Sequence, residues 1–140
     1  IYYKEQLSGL RGIELPEDLN DKNIVHGWNQ FVIRVNNLPK QLVLKNGDFS
    51  NETSSLEALS ESFFRDWLKQ SLYDEGINTI IYYPIPIHLQ PAYKDLGYEV
   101  GSLPSTEKLC NQVLSLPIFP EITFEEKNHV TNTLKKLLEK

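Results

Sequence analysis

The chain has 140 residues, 40% of them apolar, with a formal net charge of −5 spread along its length. That suits one domain able to bury roughly two-thirds of its unfolded surface. The missing basic stripe argues against nucleic acid, and no apolar run approaches the ~20 residues of a membrane span. The one cysteine, Cys110, cannot form an internal disulfide, and with no secretion signal the expected setting is a reducing cytoplasm.

The opening IYYKEQLSGL reads as a helix already under way, with Gly9 and Gly12 as stops. A first residue that is not methionine, inside a helix with no beginning, is expected of a fragment or a cleaved product. Leu15 to Asp18 and Asn20 to Asn23 form a polar connector rich in turn formers. In HGWNQFVIRV, Phe31, Ile33 and Val35 alternate with Gln30, Val32 and Arg34, the period of a half-buried strand, and Trp28 anchors its start. After Asn36 to Pro39, the run Gln41 to Lys45 meets Asn46-Gly47, a strong hairpin signal, with Asp48-Phe49 beginning a return strand. Ser50 to Ser55 is polar and expected to be mobile, because it cannot bury enough apolar surface to offset its ordering entropy. Its Asn51-Glu52-Thr53 sequon, without a secretion signal, reads as chance.

From Leu56 to Glu75 the period becomes helical. Phe64, Trp67, Leu68, Ser71 and Leu72 share one face, Arg65, Asp66, Lys69 and Asp74 the other, and Gly76 is the expected C′ residue. Asn78 to Tyr83 reads as a buried strand of β-branched and aromatic residues. Pro84 and Pro86 stop its ladder, and an extended arm follows, carrying His88 and Gln90 as far as Pro91. A polar pair on a stiff arm beyond a strand end is a place where folds put sites. The plainer alternative, and the commoner on composition, is an ordered turn in which His88 bonds backbone. Ala92 to Tyr98 resembles one helical turn closed by Gly97, and Gly101 to Pro104 a turn. Ser105 is the expected N-cap of a short helix through Glu107, Leu109, Cys110, Val113 and Leu114, with Cys110 a packed thiol rather than a nucleophile. Ser115 to Pro120 is extended. Thr123 and Glu126 have capping-box spacing, and the last helix places Val130, Leu134, Leu137 and Leu138 on one face. Together these elements predict an α+β fold, a small and mainly antiparallel sheet covered by helices.

The chemistry legible in these residues is sparse. His26, His88 and His129 lack an i,i+4 partner and a carboxylate in ligand spacing, so no metal site is assigned. No Ser–His–Asp pattern and no glycine-rich phosphate loop stands out. His129 falls on the polar side of the last helix as a solvated residue, and His26 is a cap or a packed edge.

The segments HGWNQFVIRV, FFRDWLKQSLYDEGINTIIYYPIPIHLQPAYKDLGY and GSLPSTEKLCNQVLSLPIFPEIT, in that order, resemble the C-terminal part of the DegT/StrS-type sugar aminotransferases. The likeness runs over nearly the whole chain, and YYPIPIHLQPAY with SLPIFPEIT carries most of its specificity. It implies that residues 1–140 form the small C-terminal domain of a fold type I, pyridoxal-phosphate-dependent enzyme. Such enzymes move an amino group, usually from glutamate, to a keto-sugar nucleotide through a lysine Schiff base. The implied partners are an N-terminal large domain that binds the cofactor, in the same chain or another, the sugar nucleotide, the amino donor, and a second copy of the full enzyme.

No lysine here matches the Schiff-base motif, so no catalytic or cofactor-binding residue is assigned, and pyridoxal phosphate is not expected on this chain alone. Residues 37–62 form a longer link than the family uses, an expected insertion, and Asn29 stands where many members have a histidine. What the resemblance carries over is the arm, with Tyr83, His88 and Gln90 as substrate-binding residues whose phenol and imidazole orient hydroxyls or phosphate. On that reading His88 is expected to be at least partly accessible and close to Tyr83. The alternative is a stand-alone, non-catalytic module that binds a sugar nucleotide or a protein.

Overall fold

The computed structural model describes residues 2–17, 23, 26–36 and 62–139. The expected hairpin at Asn46-Gly47, the sequon, the mobile Ser50 to Ser55 stretch, all but the last residue of the 37–62 insertion and the helical turn expected from Leu56 lie outside the described residues.

Helix α1 (Tyr2–Leu7) buries Tyr3 and Leu7 and ends before Gly9, whose φ of +75° favours glycine. Strand β1 (Ile13–Glu14) is too short to leave a period in the sequence. Strand β2 (Phe31–Val35) follows the expected alternation, with Phe31, Ile33 and Val35 buried. Helix α2 (Phe63–Asp74) comes next, then two 3₁₀ turns (Ile87–Leu89 and Pro91–Leu96), helix α3 (Pro104–Gln112), strand β3 (Val113–Leu116) and helix α4 (Phe124–Leu138). The sheet is antiparallel with order β1-β2-β3; Ile13 faces Val35, and Ile33 faces Leu114. One core joins its buried face to the helices, through Leu68 and Leu72 of α2 and Val130, Leu134, Leu137 and Leu138 of α4. The expected α+β architecture is the observed one.

Four local expectations change. Val113 and Leu114 belong to β3, not to the preceding helix, because VLSL pairs with Phe31–Arg34 and buries its last three residues. Helix α3 starts at Pro104 rather than after Ser105: proline fits the first helical position, where its missing N–H costs nothing, and Leu103 is the N-cap. The strand expected over Asn78 to Tyr83 contracts to a single bridge, Ile80 to Ser115, beyond which Ile80, Tyr82 and Tyr83 are about half exposed. Arg65, expected to face solvent, is buried; its Nη1 donates to the Cys110 carbonyl at 2.8 Å and its Nε to Asp66 at 2.6 Å.

Tyr3 ties the N-terminal helix to the chain after β3, its hydroxyl donating to the Pro117 carbonyl at 2.8 Å. Burial, with smaller contributions from Tyr2 and Glu126, pushes its phenol up to about 12. At the other end, α4 opens on a complete capping box. The Glu126 N–H donates to Thr123 Oγ1 at 3.1 Å, and the Thr123 N–H to Glu126 Oε2 at 2.8 Å. The bonds from the Thr123 backbone and then its side chain hold the Glu126 carboxyl below the usual carboxylate range. Thr123→Ala is expected to cost about 1 kcal/mol in a denaturant titration near neutral pH, because it removes the N-cap acceptor. A carboxyl lowered by folding stabilises fully above its ordinary pKa and loses that contribution as the pH falls through the lowered one. The difference between wild type and Thr123→Ala should therefore shrink on acidification; a pH-independent difference would contradict it.

Candidate functional site

Helix α2 delivers the chain to the arm through a Schellman turn. The Ile77 N–H donates to the Leu72 carbonyl and the Gly76 N–H to that of Tyr73, both at 2.9 Å. Gly76 takes φ +80°, as the turn demands, and Ile77 drops into the core beside Leu72. Ile80 then exchanges two backbone hydrogen bonds with Ser115 (3.1 and 2.9 Å), so the edge of β3 fixes the root of the arm. Pro84 and Pro86 prevent further pairing, and the chain turns away with Tyr82, Tyr83, Ile85 and Ile87 each about half exposed.

Beyond Pro86 the arm is not extended but coils into the two 3₁₀ turns, closed by Gly97 in the left-handed region. That coiling decides the fate of the three expected site residues. Tyr83 is exposed. His88 is only 7% exposed, which overturns the expected accessibility. Its Nε2 lies 3.1 Å from Glu107 Oε1, and its ring meets Tyr98 edge-on at 6.0 Å. The partner is thus a carboxylate rather than backbone, and Nε2 carries the proton it shares with Glu107. Gln90 is half-buried and folds back along the arm, its amide 3.5 Å from the Ile85 carbonyl.

Sequence reasoning did not single out Glu107, which is the hub of this region. Its carboxylate accepts the Gly101 N–H on both oxygens (3.0 and 2.9 Å) and the Leu103 N–H (3.1 Å), in addition to His88. The Gly101 bond, followed by those from Leu103 and His88, holds its carboxyl below the usual range, against the opposing effect of burial. No sequence period marks it; the one available signal is an acidic residue in the first turn of a helix.

At the root of the arm lies a cleft of about 420 Å³, whose walls include Asn29, Asn78, Ile80, Tyr82, Phe119 and His129. It combines aromatic and aliphatic walls with amide side chains, the usual composition of a small-molecule site. His129, expected to be solvated, is exposed but also engaged, its Nε2–H donating to the Glu75 carbonyl at 2.9 Å. His26 is exposed and acts as a cap rather than a packed edge: its Nδ1 accepts the Trp28 N–H at 2.9 Å while its ring stacks on Trp28 at 4.0 Å. Cys110 is a packed thiol, pushed up by burial with Arg65 opposing.

Among the described residues no group of three or more His, Cys, Asp or Glu side chains could hold a metal, and no helix is long and apolar enough to cross a membrane. Nor do the described residues fit pyridoxal phosphate. A lysine that forms a Schiff base near neutral pH needs a desolvated amine, and none of the described lysines is buried.

Comparison with known proteins places this geometry. A model of the DegT/DnrJ/EryC1/StrS aminotransferase family matches residues 45–135. The chain is 37% identical over 134 residues to the erythromycin biosynthesis sensory transduction protein EryC1 of Saccharopolyspora erythraea, covering 96% of this chain and 29% of that one. It is 31% identical over 138 residues to dTDP-3-amino-3,4,6-trideoxy-alpha-D-glucose transaminase of Streptomyces venezuelae, covering 99% and 29%. Among solved structures it resembles S. venezuelae DesV in complex with a ketimine intermediate, with a TM-score of 0.72, 30% identity and coverage of 99% and 29%. The chain therefore spans less than a third of the length of these relatives.

Proposed function

The chain belongs to the DegT/DnrJ/EryC1/StrS aminotransferase family, and from that premise we propose that it is the C-terminal, substrate-side unit of a longer pyridoxal-phosphate enzyme that transfers an amino group to a keto-sugar nucleotide. The observation that carries this reading is the arm. Ile85, Ile87, Leu96 and Val100 are between 49% and 82% exposed, four large aliphatic side chains within sixteen residues that a packed partner would cover. A large domain packed on that surface would cover it, and the share of the relatives' length that this chain spans leaves room for one. The transaminase name of the Streptomyces relative supports the reaction class and a nucleotide-linked sugar.

Within this reading Tyr83, His88 and Gln90 keep the substrate side, with roles divided by burial. The exposed Tyr83 phenol hydrogen-bonds the sugar nucleotide, Gln90 adds a polar edge, and the buried His88 holds the arm in shape. Because the lysines described here do not fit the cofactor, its chemistry belongs to the proposed large domain.

The test uses the protein encoded by the complete reading frame, supplied with pyridoxal phosphate, glutamate and a keto-sugar nucleotide. Release of 2-oxoglutarate that requires the sugar nucleotide is expected. Tyr83→Phe should lower kcat/KM about tenfold, the value of one hydrogen bond to a charged or strongly polar group. A complete frame without a lysine-bearing large domain, or a complete protein inert toward every keto-sugar nucleotide tried, would overturn the proposal.

A further inference from the structure

We infer that Glu107 is the positioning residue of the arm: by engaging His88 and the Gly101 and Leu103 amides together, it fixes the direction in which Tyr82 and Tyr83 are presented. The functional half of this inference rests on the reading of the arm as the substrate side. The conformational half stands on geometry alone.

The arm has few anchors. Its root is the Ile80–Ser115 bridge, and from Tyr82 to Gly101 His88 is its one buried side chain. Everything else on it, apart from the half-buried Pro86, Leu89 and Gln90, is exposed. A segment with so little buried surface opens readily unless something local holds it. Glu107 is the group placed to do so. Its side chain is 15% exposed and that of His88 6%, so their bond is shielded from competing water. The same carboxylate binds the turn that leads from the arm into α3, through Gly101 and Leu103. One rigid helix thus holds both the middle of the arm and its exit.

Charge is needed as well as shape. The carboxylate meets only donors: two backbone N–H groups and the His88 Nε2–H. A glutamine there would turn an NH₂ toward at least one of them, leaving a donor facing a donor. The NH₂ takes the place of Oε2 against the Gly101 N–H, and the three bonds left on the other oxygen lose the charge that strengthens them, which loosens the contact.

The experiment compares Glu107→Gln, His88→Gln and His88→Ala with wild type in the complete protein. Two readouts are used, amide hydrogen exchange and steady-state kinetics with the keto-sugar nucleotide. In Glu107→Gln and His88→Ala, exchange of the amides from 82 to 103 should rise about tenfold or more, with α4 unchanged. KM for the sugar nucleotide should rise about tenfold, with kcat within about twofold, as expected when only substrate placement suffers. His88→Gln, whose amide can still donate to the carboxylate, should recover most of both losses. Unchanged exchange in the arm would overturn the inference. So would loss of protection spread evenly through α4, or a His88→Gln no better than His88→Ala. If Glu107→Gln does not fold, the His88 pair alone decides. If wild type turns over no keto-sugar nucleotide, the proposed function fails, and exchange still decides whether Glu107 holds the arm.

Discussion

Truncation of Phe31 to alanine is expected to lower the stability of the protein by about 3–5 kcal/mol, the usual range for deleting a buried phenyl ring. Phe31 is 1% exposed and stands where three parts of the fold converge. Its ring packs at 5.1 Å against both Tyr3 of α1 and Trp28 before β2, and its backbone pairs with Leu116 of β3. The vacated space is ringed by two other aromatics, one of them tied by its hydroxyl to Pro117, so collapse around the cavity is limited. The midpoint of a denaturant titration, with an unchanged slope, measures the loss. Val32→Ala, at a half-buried position on the opposite face, serves as the control and should cost no more than about 1 kcal/mol. A Phe31→Ala loss as small as the control's would mean that the β2–β3 face is not the centre of the core.

The second large effect is expected at Arg65. Its guanidinium binds the Cys110 carbonyl, one of the last in α3 and without a partner inside that helix, and places a positive charge at the negative end of the helix dipole. Arg65→Ala leaves a buried carbonyl unsatisfied, at about 1–3 kcal/mol, and also removes the packing of a long aliphatic stem. Arg65→Met keeps most of the stem and loses only the donor, so the gap between the two variants separates packing from hydrogen bonding. Equal stability of Arg65→Met and wild type would show that the bond contributes nothing net. Thermal denaturation of the three proteins is sufficient.

Arg65 also shows where the sequence stops being readable. A helical period sorts side chains by direction, and direction put Arg65 outside. Its stem is long enough to reach a carbonyl on another helix, and nothing local marks that partner. The accessibility expected of His88 failed for the same reason. Pairing ends at Ile80, before the prolines expected to stop it, and the coil after them brings His88 to Glu107, nineteen residues later and on a different element. Features with local causes were legible: the alternation in β2, the capping box at Thr123, the stop at Gly76, the apolar stripe of α4. Strand β3 was not, since a short apolar run after a helix has no period of its own, and only pairing with β2 makes it a strand. The prolines and the polar pair marked the arm from the residues alone, and the family resemblance added the role expected of Tyr83, His88 and Gln90 on it.

The sheet register has a kinetic consequence. Phe31 and Leu116 are partners across about 85 residues of chain, which places the central pairing among the non-local contacts that slow folding. As the chain leaves the ribosome, FVIRV waits for its β3 neighbour until Leu116 has been made, an apolar β-prone stretch with one edge open all that time. The nascent protein is therefore most prone to aggregate before residue 116 emerges, and a chaperone acting on it would find its substrate in that interval. The same long closure makes the sheet tolerant of length. By closure entropy alone, each doubling of the chain between two paired strands costs only about 0.6 kcal/mol.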